Sequence, residues 1–160
     1  MDKTSESRLG RSLLAGVLVC LAVVMAIWGL TQRSGRGLKT QNGEILFYNE
    51  DGSGYLLFKS GKTMTFSEKV TCSATAYSIG DWTASGLPTK VGHIAVDTDI
   101  FPYHTRFYIY TNDGYLVYGN AVAADCGTSI KGYKIDLYFD TVDECWEFGV
   151  RSCTAYIIQD

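Results

Sequence analysis

Ala124-Asp125-Cys126-Gly127-Thr128-Ser129-Ile130-Lys131-Gly132-Tyr133-Lys134-Ile135-Asp136-Leu137-Tyr138-Phe139 is the stretch whose reading decides the fold. It leaves an apolar run, crosses a loop of small and polar residues, and re-enters a strand that carries an aspartate. Aspartate is disfavoured within strands, so Asp136 requires an explanation, and so does Asp125 where an apolar strand meets the loop. If Asp136 points inward it must be hydrogen-bonded, or desolvation raises its pKa, and a raised carboxyl suits a general acid near neutral pH. If it lies on the exposed face of an alternating strand it is an ordinary surface carboxylate. Pattern alone leaves these two readings level.

Outward from this stretch, strands are expected over Val70–Tyr77, His93–Val96, Arg106–Tyr110, Tyr115–Ala123, Lys134–Phe139 and Ser152–Ile158. Asn112-Asp113-Gly114 is a hairpin signal between two of them. Thr141-Val142-Asp143-Glu144 reads as a capping box that opens one helix, and Gly149 ends it. Val142, Cys145 and Trp146 share the helix's apolar face, which assigns Trp146 to the core. Seventeen glycines and eleven tyrosines suit a β domain with tight turns. Six strands and one short helix predict an all-β fold, a small closed barrel over residues 67–160. Before it, Ile45-Leu46-Phe47-Tyr48 and Tyr55-Leu56-Leu57-Phe58 alternate with glycine turns and predict a short β-rich extension over 44–66. That extension either packs on the barrel or exchanges between two chains to make a homodimer.

Leu13 to Leu30 carries no charge and is long enough to approach a bilayer core as a helix. It lacks both the polar stripe of a core helix and a small-residue cleavage site, so it reads as a transmembrane anchor over 13–30. Residues 1–12 then form a cytoplasmic tail and the polar, basic 31–43 a linker. Flanking charge is nearly balanced, with Lys3, Arg8 and Arg11 before the span and Arg33, Arg36 and Lys39 after it, so orientation rests on other grounds. Four cysteines outside the span, Cys72, Cys126, Cys145 and Cys153, suit two disulfides in an extracytoplasmic domain, with Cys72–Cys153 and Cys126–Cys145 as the expected pairs. From residue 41 onward eight Lys and Arg face fifteen Asp and Glu. An acidic surface of this kind excludes nucleic acid as a partner.

The quoted stretch resembles the signature of the 3D domain family, named for three aspartates, whose usual run reads like D-T-G-G-A-I-K-G-x-x-I-D-L-Y-F. The likeness extends to Ala74-Thr75-Ala76-Tyr77-Ser78, Trp82-Thr83-Ala84-Ser85-Gly86, Val91-Gly92-His93-Ile94-Ala95-Val96-Asp97, Ile100-Phe101-Pro102-Tyr103-His104-Thr105 and Glu144 to Ser152. The resemblance implies a six-stranded double-psi β-barrel, similar to the catalytic barrel of membrane-bound lytic transglycosylases. It also implies cleavage of the bond between N-acetylmuramic acid and N-acetylglucosamine in peptidoglycan glycan strands, leaving a 1,6-anhydro end. By position Asp136 resembles the catalytic acid/base, and Asp125 and Asp97 its supporting aspartates. Two departures stand out: Cys126-Gly127-Thr128-Ser129 where the family usually has Thr-Gly-Gly-Ala, and His104 where it usually has glycine.

One carboxyl group suffices for such chemistry, because the sugar's own 6-hydroxyl attacks the anomeric carbon. An ordinary glycosidase needs two. No cofactor and no metal are expected, since two isolated histidines fit no zinc spacing. For substrate contact the sequence offers Tyr77, Trp82, Lys131, Tyr133 and Thr128. Each of Tyr77, Trp82 and Tyr133 can instead simply cap the core, and Lys131 can equally project from a turn. Two rival functions remain. One is a wall-binding or assembly module without turnover. The lesser is a cell-wall cysteine peptidase with Cys126 as nucleophile and His93 or His104 as base.

Overall fold

The computed structural model describes residues 38–40 and 42–159. The expected tail and membrane span, and the linker as far as residue 37, lie outside the described residues. Among the described residues no helix is long and apolar enough to cross a membrane.

The strands are β1 Leu38–Lys39, β2 Ile45–Tyr48, β3 Gly54–Leu57, β4 Thr63–Tyr77, β5 His93–Ala95, β6 Arg106–Thr111, β7 Val117–Asp125, β8 Lys134–Tyr138 and β9 Arg151–Ile158, with helix α1 at Val142–Phe148. The strand order is β1-β2-β3-β4-β8-β5-β7-β6-β9, and β9 also pairs with β4. That last pairing closes β4-β8-β5-β7-β6-β9 into a six-stranded ring. Pairs β4/β8 and β5/β7 are parallel, and the other four contacts are antiparallel. Exchanging β4 with β7, β5 with β8 and β6 with β9 maps every contact of the ring onto another. This is the internal twofold of a double-psi barrel, and the closed ring leaves no open edge among its six strands.

The core follows strand alternation. Val70, Cys72 and Ala74 of β4, Ile135 and Leu137 of β8, and Ile109, Ala121, Ala123 and Ala155 all point inward. Asp136 lies between Ile135 and Leu137, so its side chain is on the outer face of the barrel. A second cluster joins Leu46, Leu56 and Phe66 to Tyr108, Tyr110 and Tyr156 on the outer side of β6 and β9. The β2–β3 hairpin thus buries its apolar face against its own barrel, and β4 runs unbroken through residue 66 from the extension into the ring. Glu44 is buried here, where it accepts hydrogen bonds from the Tyr108 hydroxyl at 3.1 Å and from Thr40.

Helix α1 forms as its capping signals require. Thr141 accepts from the Glu144 amide, Glu144 reaches back to the Thr141 amide, and Gly149 caps the other end at φ 61. Trp146, however, is not in the core: it is 81% exposed. A two-turn helix presents little surface to the barrel, and Phe148 occupies it. Trp146 is about 200° around the helix from Phe148 and faces out.

The expected disulfides are absent. All four described cysteines are free thiols. Cys72 and Cys153 do stand opposite each other across β4 and β9, but both lie in the core as small hydrophobes. Burial pushes the Cys72 thiol up to about 11 and the Cys153 thiol up to about 12, which suppresses the thiolate that oxidation needs. Cys126 is exposed beside the loop after β7, and Cys145 is half-buried on α1.

Gly54 at the start of β3 tests the packing of the extension. A Cβ there would lie 2.0 Å from the Phe47 carbonyl oxygen and 2.8 Å from the Phe66 ring. Gly54→Ala should therefore destabilise the fold by at least about 1–3 kcal/mol, read as a lowered Tm in thermal denaturation.

Candidate functional site

Strand register assembles the site. The parallel pairing of β4 with β8 puts Thr75 beside Asp136. The antiparallel pairing of β5 with β8 puts Ala95 on the other side of Asp136. The parallel pairing of β5 with β7 then puts Asp125 beside Ala95. Thr75, Asp136, Ala95 and Asp125 thus lie in a row across four strands, and the small Ala95 leaves room between the two aspartates. Above the row is a cleft of about 280 Å³, walled by Tyr77, Ile79, Cys126, Ser129 and Ile130.

Asp136 is half-buried in this cleft. The Thr75 hydroxyl donates to its Oδ1 at 2.6 Å. Loss of water raises its carboxyl above the ordinary value, against the downward pull of Thr75 and Lys134, and the nearby Asp125 adds to the rise. The outer-face reading and the desolvated reading therefore both hold: Asp136 faces away from the core but is roofed by the loop after β7. Asp125 is fixed differently. Its Oδ1 accepts from the backbone amides of Ala84 and Cys126, both at 2.9 Å, which fixes the position of the carboxyl group. The Tyr77 hydroxyl is buried between these groups without a hydrogen bond of normal geometry. Burial first, then the two aspartates, push its phenol strongly up, so it stays a neutral donor.

Asp97 lies outside the cleft and acts on its roof. Its Oδ2 accepts from the Gly132 amide at 2.9 Å, and its Oδ1 accepts from Lys131 at 3.3 Å. These bonds clamp the loop between β7 and β8, and the Gly132 bond leads in holding the Asp97 carboxyl below its ordinary value. Asp97 is not among the influences on the Asp136 carboxyl.

The other expected contact residues divide. Tyr77 lines the cleft. Lys131 is engaged by Asp97. Tyr133 is exposed and meets Phe101 edge-on at 5.9 Å. Thr128 is exposed at the loop tip and does not line the cleft. Trp82 is exposed and pairs with Pro88, two residues from the Ala84 amide that holds Asp125. Thr75 and Ala95 were not singled out in the sequence, because only pairing between strands distant in the chain, parallel for Thr75 and antiparallel for Ala95, brings them to Asp136. His104 has φ 72, the only non-glycine at positive φ among the described residues, which accounts for the glycine usual there. Cys126 has the Tyr103 hydroxyl as its neighbour. Neither His93, whose Nδ1 contacts the Pro88 carbonyl at 2.7 Å, nor His104 is hydrogen-bonded to Cys126, so the cysteine-nucleophile reading lacks its base.

Residues 92–159 match the model of the 3D domain family. It is 32% identical over 102 residues to the cell wall-binding protein YocH of Bacillus subtilis, a match covering 58% of this chain and 33% of that protein. It is 31% identical over 103 residues to the putative cell wall shaping protein YabE of the same organism, covering 62% of this chain and 24% of that protein. The chain thus spans a third or less of these relatives. Among solved structures, MltA from E. coli overlaps 52% of this chain and 29% of its own at 22% identity and a TM-score of 0.44. An expansin from Clavibacter michiganensis in complex with cellohexaose overlaps 57% of this chain and 50% of its own at 13% identity and a TM-score of 0.43.

The Asp97 clamp has a pH signature. A carboxyl held below its ordinary value of 3.8 stabilises the fold above that value, and the contribution is lost as pH falls through the depressed one. Asp97→Asn should lower Tm at pH 7, with the gap to the parent closing below about pH 4, as measured by thermal melts across pH.

Proposed function

We propose that this chain is a peptidoglycan lytic transglycosylase in which Asp136 is the single general acid/base. The observation that carries the reading is a carboxyl group raised by desolvation, braced by Thr75, in a cleft it shares with one backbone-held aspartate. The 3D domain and the cell-wall relatives support the substrate class. In the proposed reaction protonated Asp136 gives its proton to the oxygen leaving C1 of the muramyl residue, and that C1–O bond breaks. The 6-hydroxyl of the same sugar forms the new C1–O6 bond, and the Asp136 carboxylate takes the hydroxyl proton. Asp136 ends as it began. Asp125, held by two backbone amides on the other side of Ala95, faces the same cleft and orients the sugar, and Tyr77 donates a hydrogen bond to it. Asp97 is a positioning residue, holding the roof that keeps water from Asp136.

A wall-binding module without turnover is the second reading, favoured by the name of the YocH relative and by Thr128 where the family usually has glycine. In either reading residues 13–30 are proposed to anchor the chain in the membrane with the barrel on the extracytoplasmic side. Protease added to intact cells should then remove the barrel and leave a membrane-protected fragment.

Incubating the chain with purified peptidoglycan should yield 1,6-anhydro-muropeptides detectable by mass spectrometry. Asp136→Asn should reduce their formation by at least about 10²-fold, the usual contribution of a positioned general acid. Reducing-end products instead would indicate hydrolysis, and none from the parent would leave the binding module.

The raised carboxyl adds a check independent of activity. A group whose folded pKa is raised is stabilising to keep neutral, and the fold loses stability as pH rises through that value because the ionised form is poorly solvated. Asp136→Asn should therefore melt at or above the parent at pH 7, with the difference vanishing in acid. A variant less stable at pH 7 would contradict the desolvated assignment.

A further inference from the structure

Beside the Asp136 cleft runs a second groove, of about 420 Å³, between the end of β4 and helix α1. Its lining is nearly all apolar: Ile79, Val142, Trp146 and Val150 are exposed at 76%, 55%, 81% and 72%. Four large apolar side chains open to water around one groove are costly on a domain this size, and such patches mark binding sites. The Trp146 indole has no ring contact and no hydrogen bond among the described residues, so one π face and the Nε1–H are both available.

The two depressions adjoin. Tyr77 and Ile79 line both, and Thr75, which holds Asp136, lines the groove from below. A linear substrate whose scissile bond sits at Asp136 must leave the cleft over one of its walls, and the wall formed by Tyr77 and Ile79 leads to Trp146. The platform is also rigid. Helix α1 is closed at one end by its capping box and at the other by Gly149, and Phe148 pins it to the core.

We infer that this groove is a sugar subsite of the glycan strand, with the Trp146 indole as its stacking face; the inference rests on the glycan-cleaving function proposed above. The C–H face of a pyranose is apolar and carries partial positive charge, which complements the negative face of the indole ring. The acetyl methyl group of an amino sugar suits Val142 and Val150, and the indole N–H can donate to a sugar oxygen. Trp146 is a positioning residue, without contact to the reacting atoms.

The test uses the full chain and glycan strands freed of their stem peptides by an amidase. In an Asp136→Asn background, which prevents turnover, Trp146→Ala should weaken binding of these strands roughly two- to tenfold, the range an aromatic contact supplies. Trp146→Phe should recover part of the loss. In the active chain Trp146→Ala should raise KM with kcat close to the parent, because the contact is made in ground and transition states alike. Unchanged affinity and KM in Trp146→Ala would overturn the inference, while cleavage by the parent and not by Asp136→Asn would leave the proposed reaction standing. Absence of strand binding by the Asp136→Asn chain would overturn it as well. So would a Trp146→Ala effect confined to stem-bearing peptidoglycan, to lipid vesicles or to the sedimentation coefficient, each of which assigns the groove to a different occupant. Circular dichroism checks that the variants fold, as an exposed position predicts.

Discussion

Strand β4 carries two loads at once. Its first half completes the sheet of the N-terminal extension against β3, and its second half lies parallel to β8 while β9 covers its other edge. The barrel closes only through this strand, since β9 would otherwise end the sheet as an open edge. Closure removes unpaired backbone groups from the ring, and it also sets the register on which the site depends. A one-residue slip between β4 and β8 would exchange the faces of Ile135 and Asp136. A carboxylate would then enter the core and an isoleucine would line the cleft, so the same hydrophobic alternation that stabilises the barrel holds Asp136 in place.

The environment of the cleft comes from the loop between β7 and β8. An aspartate on an outer barrel face would ordinarily be hydrated, but this loop covers it. The loop in turn is held by the buried Asp97 through the Gly132 amide and Lys131. The three aspartates thus differ in setting because their partners differ. Asp97 and Asp125 each accept backbone amides, whereas Asp136 has one hydroxyl donor and loses water, which raises its carboxyl. Separation of roles among like side chains follows from these contacts and not from residue type.

The molecule also leaves apolar groups uncovered in one place while tolerating thiols in the core elsewhere. Cys72 and Cys153 fill core volume from facing strands as reduced side chains, and their burial is what keeps them inert. Trp146 does the opposite. It occupies an exposed position on a helix whose seven residues could have been polar on that side without loss to the core. Stability does not account for an indole there, whereas the proposed sugar subsite would.

How much of this was legible beforehand depends on the range of the interactions involved. Six barrel strands, the capped helix and the unusual strand settings of Asp136 and Asp125 followed from local pattern: alternation, turn residues, a capping box, and a charged residue where a strand disfavours one. Local pattern could not show that β4 begins at Thr63, because its first residues gain their strand partner from β3. Nor could it separate an exposed Trp146 from a buried one, since helical spacing identifies an apolar face but not what that face meets. By itself the sequence determined which residues would be strand, helix and turn, since those choices are settled within a few residues by backbone sterics and side-chain alternation. Only the tertiary structure decided that Thr75, Asp136, Ala95 and Asp125 stand in one row and that Asp97 serves the loop above them. Parallel pairing joins residues some sixty positions apart, and desolvation depends on what closes over a side chain, which no local stretch encodes.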